Sequence, residues 1–124
     1  FEISQGVVVS VTDDIEQGLL PVKGMLALYV GGMGAKDQNF HKELISRFGY
    51  EAEAKKIQDL YLAGKKEEAV RAVPDQLADE ISLVGPVDRI RDRLQAWRET
   101  PVTSLLVSAR SSAELQTLAD LVLV

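Results

Sequence analysis

The run Gly6-Val7-Val8-Val9-Ser10-Val11 constrains this chain more than any other stretch. It is short, apolar and rich in β-branched residues, with little alternation between apolar and polar positions. Such runs are typical of strands buried on both faces, as in parallel sheets that helices cover. A second run of this kind occupies residues 104–107, and the sequence between the two has helical patterns. Two parallel strands joined through helices form a βαβ crossover, so the sequence predicts an α/β fold.

Helical patterns fill most of the remaining sequence. A helix is predicted to begin near Asp14, and Pro21 within it predicts either a kink or a junction of two helices near Leu20. Ser111 and Glu114 have capping-box spacing at the start of the last helix. Further helices are predicted over residues 22–30, 40–48, 51–63, 65–73, from 74 onward, and over 86–99 and 112–123.

The helix over residues 40–48 carries a specific prediction about burial. Asp37 is a candidate cap before it. Phe40, Leu44, Ile45 and Phe48 fall on one helical face, which predicts that this face is buried.

Composition excludes several kinds of site and partner. The net charge of −5 gives an acidic surface, which argues against nucleic-acid binding. The chain has no cysteine and one histidine, so disulfides, thiol catalysis and a multi-histidine metal site are excluded, and no metal ligand is assigned. No apolar run approaches the roughly 20 residues that span a bilayer, and no signal peptide is visible. These features favour a cytoplasmic protein without a membrane partner.

Two strands are too few for a stable parallel sheet, because both strands would keep an open edge. The chain also begins at Phe1, directly in strand-like sequence and without an initiator Met. Both observations favour a piece of a longer parent, although removal of a leader would also explain the first residue. The alternative for the fold is a self-contained helical domain with one strand pair.

Several short motifs follow one another along the chain. In order they are Ala27-Leu28-Tyr29-Val30-Gly31-Gly32-Met33-Gly34, Asn39-Phe40, Ile57-Gln58-Asp59-Leu60-Tyr61-Leu62-Ala63-Gly64, Ala72-Val73-Pro74-Asp75, Ser82-Leu83-Val84-Gly85-Pro86 and Arg89-Ile90-Arg91-Asp92-Arg93-Leu94. In this order and at these spacings they resemble the C-terminal third of the luciferase-like monooxygenase superfamily, and within it the deazaflavin (coenzyme F-420)-dependent oxidoreductases. The resemblance runs across essentially the whole chain.

The resemblance implies a helix-rich C-terminal fragment of a TIM (β/α)8 barrel, with the last two βα units and a helical insertion. Residues 1–34 would hold the seventh strand and a helix, residues 35–82 the insertion, and residues 83–124 the last helix, strand and helix. Within these segments, 6–11 would be the seventh strand and 104–107 the eighth. Because the first six strands are absent, the isolated fragment is expected to be inactive, and the N-terminal barrel half is its expected partner.

The resemblance also implies an activity for the intact parent. It would transfer a hydride between C5 of a reduced deazaflavin, coenzyme F-420, and a small organic substrate. An FMN-dependent monooxygenase of the same fold is one alternative, and a non-catalytic α-rich interaction module is another. The resemblance leaves open whether the parent protein is a homo-oligomer.

The candidate ligand-binding residues fall in two segments, and no catalytic residue is assigned. Ser10 and Thr12 lie at the C-terminal end of the first strand, which in a barrel is the catalytic rim. In any fold these two residues could instead cap a helix. The glycine-rich segment would form a rim loop or lid, or it would simply end a helix in a sharp turn. The candidates are Ser10, Thr12, Gly31, Gly32, Met33, Gly34, Asn39 and His41.

Other polar residues have a functional and a structural interpretation. Asn39 would bind a ligand or serve the first turn of its helix. His41 would donate a proton or orient substrate, or it would be a partly exposed helix residue. The turn at Gly85-Pro86 is interpreted as a tight loop at the far end of the barrel, and the alternative is an anion site at the start of the helix that follows. Arg89, Arg91 and Arg93 alternate with Asp88 and Asp92 and are interpreted as a solvated, ion-paired helix face.

Overall fold

The computed structural model describes residues 1–34 and 38–122. Irregular π-helical turns occupy Leu28–Gly32 and Ser46–Tyr50. In the described part of the chain, no helix is long and apolar enough to cross a membrane. The elements in chain order are β1 (Ser4–Val11), α1 (Ile15–Ala27), α2 (Phe40–Ile45), α3 (Glu51–Leu62), α4 (Lys66–Ala72), α5 (Asp75–Glu80), β2 (Ser82–Gly85), α6 (Val87–Arg98), β3 (Ser104–Ser108) and α7 (Ser112–Val122).

The chain divides into two compact units. The first contains Phe1–Gly18 and the described residues from Asp79 onward, and so holds all three strands with α6 and α7. The second is the continuous segment Leu19–Ala78, which is helical. The boundaries at residues 34 and 82 that the resemblance implies stay a prediction.

The sheet is parallel throughout, with strand order β2-β1-β3. β1 pairs with β3 from Ser4↔Ser104 to Val8↔Ser108, which confirms the parallel pairing expected of the two apolar runs. The prediction of only two strands was wrong, because β2 pairs with the second half of β1, from Val8↔Ser82 to Val11↔Gly85. The sequence did not predict β2 because the strand has only four residues, too few to show an alternation of apolar and polar positions. The Gly-Pro pair at its end is also typical of a turn without a strand.

From Val7 onward β1 is buried or partly buried on both faces, as its apolar run predicts, but the two faces differ in composition. Val7 and Val9 pack with Leu83 against one layer of helices. That layer is contributed by Ile90 and Leu94 of α6 and by Leu118 of α7. The opposite face carries smaller and more polar side chains, with Val8 half-buried and Ser10 buried. The apolar core of the first unit therefore lies on one side of the sheet.

α1 is one continuous helix with Pro21 inside it, so the junction of two helices near Leu20 is not observed. Its first turn is capped by Asp14, whose Oδ1 accepts a hydrogen bond from Gln17 N at 3.1 Å. The cap confirms the predicted start of the helix.

The predicted buried face of α2 was half wrong. Ile45 is buried, but Phe40 is 70% exposed and Phe48 is 64% exposed. α2 ends at Ile45, and Gly49 has a φ of +99° in the turn that follows. Helical spacing therefore cannot place Phe48 beneath Phe40. Asp37, the candidate cap, lies outside the described residues, and Asn39 caps α2 instead.

Candidate functional site

The segments that follow β1 and β2 lie together at the C-terminal edge of the sheet. The register Val11↔Gly85 places the ends of β1 and β2 at the same level. Thr12 N donates to Gly85 O at 2.9 Å just beyond it. The turn at Gly85-Pro86 therefore lies at the edge that carries Ser10 and Thr12, and its predicted place at the far end was wrong. In open and closed parallel sheets this edge is where ligands bind.

Ser10 has a buried hydroxyl with no hydrogen-bond partner in the described chain. The first turns of α1 lie beside it, because Gly18 allows a close approach. A Cβ at Gly18 would lie 2.5 Å from Val84 Cγ1, 2.9 Å from Thr12 Cγ2 and 3.5 Å from Ser10 Oγ. An unsatisfied buried hydroxyl costs about 1–3 kcal/mol, and such groups recur where a ligand supplies the missing partner.

Thr12 has a structural role that the sequence allowed. Its Oγ1 accepts a hydrogen bond from Asp14 N at 3.1 Å, in the turn that leads into α1. The hydroxyl proton is not used by that bond. Thr12 is half-buried, so this proton is free to be donated to a ligand at the edge.

Glu114 is a rim residue whose role sequence reasoning missed. Its side chain is only 6% exposed, and its carboxylate accepts hydrogen bonds from Val11 N at 2.6 Å and Arg110 N at 2.8 Å. The predicted capping box is half present, since Ser111 Oγ accepts from Glu114 N at 3.1 Å. A cavity of about 380 Å³ beside it is lined by Val11, Arg110, Ser111, Ala113, Glu114 and Thr117.

The charge of Glu114 is favoured despite burial. Burial alone would raise the pKa of its carboxyl, but the backbone donors of Val11 and Arg110, with the Arg110 guanidinium, outweigh burial and lower that pKa. The capping-box spacing was the only sequence signal for Glu114. It gave no hint of Val11, which lies 103 residues away.

Arg91 pairs with Asp88 on the exposed side of α6 as expected, whereas Arg89 and Arg93 pair with Asp79. The Asp79 carboxylate accepts two bonds from Arg89, at 3.0 and 2.7 Å, and one from Arg93 at 3.1 Å, and Arg93 also donates to Asp79 O. Arg89 also donates to Val84 O at 2.6 Å. Hydrogen bonding to Asp79 raises the pKa of Arg89 above its ordinary value. Arg89 and Arg93 are thus half-buried structural groups of the first unit and not a solvated face.

The side-chain conformation of Arg89 requires a residue without a Cβ at position 85. This glycine has a φ of +137°, and a Cβ there would lie 2.8 Å from Arg89 Cδ. The Gly-Pro turn therefore supports the ion pair of Arg89 with Asp79.

In the second unit, Gly31 and Gly32 allow an aromatic ring to lie directly on the backbone. A Cβ at Gly31 would be 2.5 Å from Tyr61 Cβ, and one at Gly32 would be 2.5 Å from Tyr61 Cε1. Gly34 is needed for a different reason, a φ of +134° with Gln38 O at 2.7 Å from an added Cβ. Met33 is about half exposed. Packing thus explains the glycine pair, and a turn explains Gly34.

Asn39 and His41 also have partners inside the second unit. Asn39 is 2% exposed; its Nδ2 donates to Val30 O at 2.7 Å, and its Oδ1 accepts from Lys42 N at 2.9 Å. The half-buried ring of His41 lies 4.9 Å from that of Tyr29. Of the predicted residues, Ser10 and Thr12 lie together in the first unit, and the remaining six lie in the second.

The parallel strands with helical crossovers define an α/β protein. Its candidate site lies at the carboxyl edge of the sheet, where the polar side chains of Ser10 and Thr12 lie. The family model of the luciferase-like monooxygenases matches residues 1–104. The chain is also 38% identical over 122 residues, 98% of its length, to the Mycobacterium tuberculosis protein named "Putative coenzyme F420-dependent oxidoreductase". No solved structure matches it.

The chain therefore belongs to the luciferase-like monooxygenase family. It spans about a third of its mycobacterial relative, 35% of that protein's length.

Proposed function

We propose that this chain forms the C-terminal part of a (β/α)8 barrel in a coenzyme F-420-dependent oxidoreductase. The observation that carries the proposal is its similarity across 98% of its length to a relative named for that cofactor. The parallel pairing of β1 with β3 supports it, since the seventh and eighth strands of a barrel are neighbours. β2 would then be an additional strand on the other edge of β1.

The residues at the carboxyl edge fit a polar cofactor or substrate. Ser10 has the unpartnered hydroxyl described above, and Thr12 has an unused hydroxyl proton. Both would donate hydrogen bonds to carbonyl, hydroxyl or phosphate oxygens of a bound molecule. When bound, the deazaflavin supplies the hydride chemistry, and this chain's part is to bind and orient.

Six residues of the second unit stay candidate ligand-binding residues: Gly31, Gly32, Met33, Gly34, Asn39 and His41. Asn39 and the glycine pair have their contacts within the helical unit, with Val30 O and Tyr61. His41, half-buried against Tyr29, would face a small organic substrate as a hydrogen-bonding group. The N-terminal barrel half would supply the other walls.

Ligand titration of the full-length protein tests this proposal. Binding of coenzyme F-420 and of FMN is followed by fluorescence, and hydride transfer by the absorbance of the oxidised deazaflavin. Ser10→Ala is expected to weaken F-420 binding about tenfold, because a hydrogen bond to a ligand in a buried site is lost. Ser4→Ala is the matched control, since Ser4 is on the same strand and face but at the opposite end.

Each outcome decides between the alternatives. F-420 binding that is weakened by Ser10→Ala and not by Ser4→Ala supports the proposal. Equal or tighter FMN binding would replace the deazaflavin by FMN. Binding of neither cofactor would favour the non-catalytic interaction module.

A further inference from the structure

At the C-terminal end of β1, the side chains of Glu114 and Arg110 form hydrogen bonds with the Val11 backbone on the side where no strand pairs with it. On one side, the β1–β2 ladder runs to Val11↔Gly85. On the other side, the β1–β3 ladder stops at Val8↔Ser108. The free backbone groups of Val11 are then met by Glu114, whose Oε1 accepts from Val11 N at 2.6 Å, and by Arg110, whose Nη2 donates to Val11 O at 3.4 Å.

Glu114 also fixes the loop that follows β3. Its second oxygen accepts from Arg110 N at 2.8 Å, while Glu114 N donates to Ser111 Oγ at 3.1 Å. One buried carboxylate thus ties the end of the central strand to the start of α7. Hydrogen bonds to an ionised acceptor are shorter and stronger than neutral ones, and two of them fix the carboxylate in position.

Val11 lies between the two candidate ligand-binding hydroxyls. Side chains alternate along a strand, so Ser10 points to the face opposite Val11. We propose that Glu114 is a positioning residue for ligand binding: it holds the Val11 backbone and thereby orients the hydroxyls of Ser10 and Thr12 towards the cofactor or substrate. This inference rests on the proposed function.

The exposed Arg110 guanidinium makes a separable contribution. Its side chain is 66% exposed, and its contacts with the Glu114 carboxylate are 3.4 and 3.5 Å long. The two short bonds of Glu114 go to backbone N–H groups instead. Arg110→Ala therefore removes the ion pair and the long bond to Val11 O, but it leaves both backbone N–H bonds to the Glu114 carboxylate. Glu114→Gln instead presents an NH2 group to one of these two donors.

The test is a double-mutant cycle on coenzyme F-420 affinity in the full-length protein. Glu114→Gln is expected to weaken binding about tenfold, in line with the loss of one charge-assisted bond, and Arg110→Ala threefold or less. If Glu114 acts through Ser10, Glu114→Gln adds little once Ser10→Ala is present. Glu99→Gln, at an exposed position after α6, is the matched control and is expected to change nothing.

The outcomes separate this inference from the proposed function. A non-additive cycle supports the positioning role, because a loss of general stability would not depend on Ser10. Additive effects, or wild-type affinity in Glu114→Gln, overturn it while the proposed function stands. If Glu114→Gln does not fold, Glu114→Asp, whose carboxylate is one methylene shorter and withdrawn from Val11 N, is combined with Ser10→Ala and judged by the same criterion. Failure of the wild-type protein to bind F-420 or FMN overturns both.

Discussion

The side chain of Tyr61 occupies the place where a side chain on Gly31 would begin, 2.5 Å from Tyr61 Cβ to the added Cβ. We therefore expect Gly31→Ala to destabilise the protein by about 1–3 kcal/mol, because Tyr61 or the turn must shift. Urea unfolding measures the effect. Gly24→Ala is the control: it lies in α1 with no atom within 4 Å of the added Cβ, and we expect it to stabilise by up to about 1 kcal/mol. Equal effects of the two changes would contradict the role of Tyr61.

Asp79 is expected to be the most sensitive carboxylate of the α6 ion-pair cluster. Asp79→Asn leaves two half-buried arginines without their anion, so we expect a loss of about 1–3 kcal/mol of unfolding free energy. Asp88→Asn breaks only the exposed pair with Arg91 and should cost about 0.5 kcal/mol or less. The two variants are compared by chemical denaturation at pH 7. A larger effect at Asp88 would show that the cluster is not held as described.

Glu114 is expected to make stability fall at acidic pH. Its pKa in the folded protein lies below the ordinary 4.5, so the unfolded chain binds this proton more readily. The stabilisation is present above about pH 4.5 and is lost as the pH falls through the folded value. Unfolding free energies between pH 7 and pH 3 should therefore drop less steeply in Glu114→Gln than in the wild type. Parallel pH profiles for the two proteins would refute this assignment, and Glu99→Gln should keep the wild-type slope.

Asn39 is expected to be needed for the local structure of the second unit whatever the ligand. Asn39→Ala removes the cap of α2 and leaves Val30 O without its side-chain donor. We expect a loss of about 1–3 kcal/mol, which thermal or urea unfolding would detect. The neighbouring Gln38 is exposed, so Gln38→Ala should be close to neutral. Wild-type stability in Asn39→Ala would leave the bond to Val30 O without energetic importance.

Sequence reasoning succeeded where a signal was local and repeated. The apolar runs predicted the parallel pair β1 and β3, and Asp14 indicated where α1 begins. Ser10 and Thr12 followed from their place at the end of a strand, and Asn39 from its preference for a first turn. Their ligand-binding roles stay predictions.

The misses have a common physical cause, which is that the partner lies across a turn or far away in the chain. Asp79 meets Arg89 and Arg93 across the turn at Gly85, and Glu114 meets Val11 through the fold. No local pattern carries that information. Phe48 is the exception, since its cause is local: α2 ends at Ile45 and the adjacent Gly49 has a φ of +99°.

The two units differ in how much of the chain each requires, and this has a consequence for biosynthesis. The helical unit is one uninterrupted stretch, Leu19–Ala78, so all its contacts are available once that stretch has left the ribosome. β1 emerges earlier, but its partners β2 and β3 follow about 75 and about 100 residues later. Since domains fold as they are synthesised and distant pairings form late, the edge of β1 that pairs with β3 stays open until residues 104–108 have been made. An open apolar strand of this kind is where a chaperone would be expected to act.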